Sequence, residues 1–176
     1  IILFQELHYK LKPSFDGKLS EYTSVFDITE GMGCTIYVSN AYQVEDKYYK
    51  KFKLSFMERG IYAAKVNGVW YVTAHLESMG KPQFEKIRQA QLEELTHFVS
   101  DKERVIIGMD SNIIGKIEIP GMTDVWEDEP VDTWHGLGCG SQRFDRFMVK
   151  GINVSKKEVI PNSYSDHDIL FIEYEG

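Results

Sequence analysis

The dipeptide Asn67-Gly68 lies between two runs rich in β-branched and aromatic residues, Ile61 to Val66 and Val69 to His75. Both turn residues tolerate positive φ, so the segment from Ile61 to His75 reads as a tight β-hairpin. Its register then decides which side chains enter a core, because a one-residue slip would reverse every face. Similar runs recur at Ile1 to Gln5, Tyr22 to Phe26, Cys34 to Val38, Phe52 to Phe56, Arg104 to Met109, Arg143 to Val149 and Ile169 to Tyr174. One helix interrupts them. Phe84, Ile87, Gln91, Leu95 and Phe98 follow three- and four-residue steps, with Leu92 and Val99 widening the stripe, which predicts a helix from about Pro82 to Ser100. Strands with an interleaved helix and no regular βαβ rhythm predict an α+β fold of two packed, mainly antiparallel sheets flanked by helices.

With 176 residues, 43% of them hydrophobic, and no Pro-, Gly- or Ser-rich linker, the expectation is a single domain over 1-176. No apolar run approaches the roughly 20 residues of a membrane-spanning helix, and Ile1 to Phe4 is too brief for a secretory signal, so no membrane partner is expected. Cys34 and Cys139 cannot build a disulfide framework and lack a Cys-His cluster for structural zinc. A reducing, intracellular compartment, nucleus or cytoplasm, is the expectation. The formal charge of −7 argues against broad electrostatic adhesion to nucleic acid, so contact with it requires a local basic patch or a bound cation. The one concentrated basic stretch, Lys47-Tyr48-Tyr49-Lys50-Lys51-Phe52-Lys53, is either a solvated strand face or a track for a phosphate backbone.

Three short motifs sit where apolar runs turn polar: Phe4-Gln5-Glu6, Asp110-Ser111-Asn112 and Ser165-Asp166-His167. A sheet could deliver their carboxylates, amide and imidazole to one rim, as hydrolysis of a phosphodiester requires: a cation, an oriented water and a hydrogen-bond donor. Asp110 and Asn112, two apart at a strand end, can point to the same side, one to polarise a water and one to fix it. Glu6 suits Mg²⁺, which takes one or two protein carboxylates plus substrate oxygens. His75 ends an apolar run. Asp145, flanked by apolar residues, needs a partner if buried. Spacing favours Arg143 or Arg146 for that partner, with His167 as the alternative. Trp134 stands in a polar, Gly-rich stretch where an exposed stacking face is plausible.

Taken in order, Leu3-Phe4-Gln5-Glu6, His75-Leu76-Glu77-Ser78, Arg88 with Gln91 and Leu92, Asp110-Ser111-Asn112, Asp124-Val125-Trp126-Glu127, Thr133-Trp134, Arg143-Phe144-Asp145-Arg146 and Ser165-Asp166-His167 resemble the endonuclease/exonuclease/phosphatase superfamily. The second half is most similar to its 5′-tyrosyl-DNA phosphodiesterases. The resemblance implies a four-layer α/β/β/α sandwich and a Mg²⁺-dependent phosphodiesterase, with Mn²⁺ able to substitute. Its metal is held through Glu6 and, directly or through water, Asp166. It implies that Asp110 orients and deprotonates the attacking water, that Asn112 positions it, that His75 and His167 hold the non-bridging oxygens, and that Asp145 orients His167. Arg59 and Trp134 fall where the tyrosyl enzymes carry substrate-facing residues, and Ser78 completes the substrate-binding set.

The implied substrate is a DNA 5′ end bearing a covalently attached tyrosine or peptide, acted on by a monomer; RNA is a second candidate. Two departures stand out. The superfamily begins with an asparagine-bearing strand and a helix, and this sequence opens after both, so either the N-terminus is truncated, or another segment replaces that strand, or the activity is compromised. Tyrosyl enzymes carry an arginine where this chain has Ile114. Another nuclease, a deadenylase or a lipid phosphodiesterase of the same superfamily is the alternative reading, and a non-catalytic binding module with the same fold is a second.

Overall fold

A computed structural model describes residues 1–136, 138 and 140–175. Cys139, read with Cys34 as part of no disulfide framework or zinc cluster, lies outside the described residues. The chain begins with β1 (Ile2–His8), α1 (Lys12–Lys18), β2 (Tyr22–Ser24) and β3 (Met32–Ser39). Next come β4 (Asp46–Lys51), β5 (Gly60–Val66), β6 (Val69–His75), α2 (Pro82–Val99) and β7 (Val105–Asp110). Then follow β8 (Thr123–Asp124), β9 (Trp134–Gly136), β10 (Gly140–Gln142), β11 (Asp145–Lys150), β12 (Asn153–Ile160) and β13 (Ile169–Glu175).

Six strands form one sheet in the order β4-β5-β6-β7-β11-β8. Its pairs are antiparallel except β6 and β7, which run parallel because α2 carries the chain back between them. The three-stranded β1-β3-β2 and the pair β12-β13 pack on its inner face. The fold is therefore the expected α+β sandwich. Strand alternation sorts the central residues between two cores. Tyr71 and Ile106 turn between the sheets to meet Ile36 and Val38, while Val72 and Ile107 turn outward beneath Leu92, Leu95 and Val99 of α2. With both faces covered, β7 is buried along its whole length, which explains its unbroken apolar run.

The hairpin at Asn67-Gly68 forms as expected, with φ of 49° and 73°. Helix α2 also matches its spacing. The run Phe52 to Phe56 does not form a strand: the chain pairs with β5 over Asp46–Lys51, so the basic stretch is mostly the edge strand β4. Lys50 is paired with Glu94 and Lys51 with Glu58, which favours the solvated-face reading of that stretch. Neither α1 nor β12 was expected.

Two features hold β1 over the strand ends that matter for function. A Cβ at Gly108 would stand 2.7 Å from Leu3 Cδ1 and 3.1 Å from Phe147, so glycine permits the close approach of β1 to β7. The Gln5 amide then donates to Thr73 Oγ1 at 2.7 Å and to Gly108 O at 3.1 Å. β1 pairs only with β3 and β13 only with β12 among the described residues. Their remaining edges border a groove of about 900 Å³, lined by residues such as Phe4, Glu6 and Phe171, that reaches Asp145 and His167. Among the described residues no helix is long and apolar enough to cross a membrane.

Candidate active site

Register places the chemistry. Parallel pairing sets His75, the last residue of β6, opposite Asp110, the last residue of β7. Antiparallel pairing sets Asp145, the first residue of β11, on the other side of Asp110. Neighbouring strands are about 4.8 Å apart, so three titratable side chains stand in one row at one end of the sheet. Arg59 precedes β5 at the same end.

His75 is 2% exposed and both of its ring nitrogens are engaged. Arg59 Nη1 lies 2.7 Å from Nδ1. Guanidinium can only donate, so Nδ1 accepts and the ring hydrogen sits on Nε2. Nε2 lies 3.1 Å from Asp110 Oδ2 and therefore donates to it. Asn112 comes within 3.0 Å of the same nitrogen, but its amide donates to Leu76 O at 3.2 Å. The expected role of His75 as a donor to a substrate oxygen is not supported by this arrangement, because its one N–H is spent on Asp110. The backbone N–H of Asn112, at φ 49°, donates to Asp110 Oδ1 at 3.0 Å. Burial works to raise the pKa of Asp110, yet the hydrogen bond from His75, the charge of His167 and the Asn112 N–H together hold it below the ordinary carboxylate value.

Asp145 takes neither expected arginine. Arg143 pairs with Asp124, and Arg146 Nη2 donates to Gly115 O at 2.7 Å. Asp145 Oδ2 instead accepts from Thr133 Oγ1 at 2.6 Å and meets His167 Nδ1 at 2.9 Å. Burial disfavours charge on His167, but the hydrogen bond and charge of Asp145, with Asp110 and Asp166 nearby, raise its pKa to about 9. At neutral pH it is an imidazolium, and its Nε2 lies 3.9 Å from Asp110 Oδ2. Donor atoms of Asp110, Asp145 and His167 lie within 4.8 Å of one another. His167 gives its Nδ1 proton to Asp145 and turns Nε2 toward Asp110, so the three side chains form one hydrogen-bonded chain across the row.

The remaining expected residues surround the row. Glu6, at φ 54° in an irregular part of β1, accepts from Arg59 Nη2 at 3.1 Å through Oε1. Its side chain is 46% exposed, which leaves carboxylate oxygen open to a hard cation. Asp166 is exposed and accepts from Trp134 Nε1 at 2.8 Å. Trp134 tilts on Phe144 with centroids 5.2 Å apart, and its ring lies over Gly136, where no side chain would fit. Ser78 Oγ lies 3.1 Å from Met57 Sδ, at the Arg59 side of the row. No role for Thr133 or for buried Glu77 is legible in the sequence, and His135 Nε2 meets Asp168 Oδ2 at 2.8 Å. Chain positions 33 residues apart carry no local signal for that pair.

No protein-family model matches the chain, and no curated protein matches it in sequence. Solved structures do match in shape, and they define an endonuclease/exonuclease/phosphatase-type sandwich. TDP2 (tyrosyl-DNA phosphodiesterase 2) of D. rerio, in complex with single strand DNA product, superposes with a TM-score of 0.83 at 18% identity, covering 99% of this chain and 85% of that one. The 3′ phosphatase NExo from Neisseria, bound to a product DNA hairpin, gives 0.74 at 16% identity, covering 99% and 88%. A functionally unknown conserved protein from Enterococcus faecalis gives 0.76 at 16% identity, covering 99% and 84%. The fold resembles that of TDP2.

Proposed function

We propose that the chain is a Mg²⁺-dependent phosphodiesterase, with Mn²⁺ able to substitute, that hydrolyses a 5′-phosphotyrosyl linkage between DNA and a tyrosine or peptide. The observation that carries this reading is the row at the sheet end: an ionised Asp110 held by His75 and Asn112, facing the imidazolium of His167. The TDP2-like fold supports it.

Each Asp110 oxygen already accepts one hydrogen bond and keeps a lone pair, so the carboxylate can orient a water and take its proton as the oxygen attacks phosphorus. The bond from phosphorus to the tyrosyl oxygen breaks, and the electron pair leaves on the phenolate. His167 donates from Nε2 to a non-bridging oxygen as charge builds there, a contribution on the order of 10²- to 10³-fold for a placed donor. Asp145 and Thr133 fix the orientation of that imidazolium. We assign His75 to positioning, since it holds Asp110 on one side and Arg59 on the other. Glu6, with Asp166 directly or through water, would hold the cation, which supplies neutralisation of the phosphate and assistance to the departing oxygen. Trp134, Arg59 and Ser78 would meet the substrate.

We also place the activity inside the cell, in nucleus or cytoplasm. The two cysteines, Cys34 and Cys139, cannot build a disulfide framework, which suits a reducing compartment. The test of the reading is release of tyrosine from a 5′-tyrosyl oligonucleotide in Mg²⁺. Asp110→Asn should slow it by at least about 10²-fold with the substrate dissociation constant little changed. Near wild-type turnover by that variant would remove Asp110 from the chemistry.

A further inference from the structure

The segment between β4 and β5 exposes an apolar surface beside the catalytic row. Phe56 is 76% exposed, and Leu54, Met57 and Met79 are also open to solvent. The Phe56 ring meets Phe84, in the first turn of α2, edge to face with centroids 6.0 Å apart. A loop with so much exposed apolar surface would be expected to move or collapse, yet this one is pinned from below.

Fully buried Glu77 accepts from the Ser55 hydroxyl at 2.8 Å, the Phe56 N–H at 3.0 Å and the Gln91 amide at 3.1 Å. Gln91 also donates to Leu54 O at 2.9 Å and accepts from the Glu77 N–H at 2.8 Å. Arg88 Nη1 ties the carbonyls of Glu77 and Met79, the latter residue at φ 85°. The exposed face is therefore pre-organised, which lowers the entropy cost of binding to it.

The patch joins the catalytic row directly. Met57 Sδ lies 3.6 Å from Arg59 Nη2, and Arg59 contacts both His75 and Glu6. Lys53, Lys81 and Lys86 are exposed in the same segments and form no ion pair among the described residues. Of the nearby carboxylates, Glu58 is taken by Lys51, Glu94 by Lys50 and Glu6 by Arg59, Glu77 is buried beneath Phe56, and Glu85 is the exposed one without an ion pair among the described residues. Phe56 lies just before β5, while Trp134 bridges to His167 and bonds Asp166 on the β11 side of the row, with β6 and β7 between them. Two aromatic faces thus flank the catalytic row on opposite sides.

We propose that Phe56, backed by Phe84 and flanked by Met57 and Met79, is a stacking subsite for an unpaired nucleobase of the strand whose phosphate occupies the catalytic row. The proposal rests on the phosphodiesterase reading above. A base offers a flat π-face whatever its identity, and the unpaired lysines suit the backbone that carries it.

The test uses a 5′-phosphorylated thymidine hexamer carrying one 2-aminopurine, moved through each position in turn. Lacking the tyrosyl leaving group, it reports binding of the product end, and stacking quenches its fluorescence. Wild-type protein should quench one position through Phe56. Phe56→Ala should abolish that quench and weaken the hexamer by about five- to a hundredfold, while Phe56→Tyr should restore both. Trp134→Ala should leave the Phe56-dependent quench in place. If Phe56→Ala, folded by thermal midpoint, matches wild type in hexamer affinity and quench while wild type cleaves a 5′-tyrosyl oligonucleotide, the subsite is wrong and the phosphodiesterase reading stands. If Phe56→Ala weakens only a phosphotyrosyl peptide and not the hexamer, the occupant is the peptide and the proposal falls. A wild-type protein that neither binds the hexamer nor cleaves the tyrosyl substrate sinks both.

Discussion

Replacing Asp145 by asparagine removes the charge that holds His167 as a cation while keeping nearly the same side-chain volume and the bond to Thr133. His167 titrates at about 9 against an ordinary 6.5, and its side chain is only 26% exposed, so solvent screening is incomplete. A rise of that size corresponds to about 3 kcal/mol of preference for the imidazolium. Asp145 supplies the largest favourable part, with Asp110 at 3.9 Å and Asp166 remaining in the variant. The His167 pKa should therefore fall by at least about one unit in Asp145→Asn. Because the folded-state value lies above the unfolded one, the stabilisation is complete below about pH 6.5 and is lost as pH rises through about 9. The thermal midpoint of the variant should lie below wild type by up to about 10 °C at pH 6, and the gap should close above pH 9. Histidine ring-proton NMR titration without divalent cation reads the pKa, and calorimetry reads the gap. A His167 that still titrates near 9 in the variant, or a gap that stays constant with pH, would refute the pairing.

Glu6→Gln should raise the Mg²⁺ concentration for half-maximal turnover at least about tenfold and barely move the thermal midpoint, because the carboxylate is an exposed strand-end group; a metal titration of initial rates checks it. Glu77→Gln turns an amide toward three donors that need an acceptor, so it should cost about 1 to 3 kcal/mol in urea denaturation and loosen the loop carrying Arg59. Gly136→Ala should drive the Trp134 ring off its seat and break its bond to Asp166, seen as a shift in tryptophan emission with loss of turnover. Unchanged emission and rate would mean that Trp134 has no fixed place at the site.

The hairpin at Asn67-Gly68 and helix α2 were legible because turn chemistry and helical spacing are local. The site was legible in part, since Asp110 and His75 end apolar runs and strand ends collect on one rim. What stayed hidden depends on tertiary contacts. Phe52 to Phe56 has strand-like composition, but Glu77 captures the Phe56 N–H and Gln91 captures Leu54 O, so the backbone bonds a strand would need are spent elsewhere. Asp145 has arginines two residues before it and one after it, and spacing favoured them. The sheet instead sends Arg146 beneath the loop after Asp110, and Arg143 to Asp124. The neighbours of His75 were hidden for a related reason: only the geometry shows Arg59 at its Nδ1 and Asp110 at its Nε2.

The most direct test compares kcat/KM, in Mg²⁺, for a 5′-tyrosyl oligonucleotide with that for cleavage of an internal linkage in the same unmodified oligonucleotide. Tyrosine ionises near pH ~10, far below an alkyl alcohol, so its oxygen leaves more readily. The tyrosyl end should react at least about 10²-fold faster, equivalent to about 3 kcal/mol of barrier, and excess chelator should abolish the reaction. Equal rates on the two substrates, or full tyrosine release in chelator, would contradict the account.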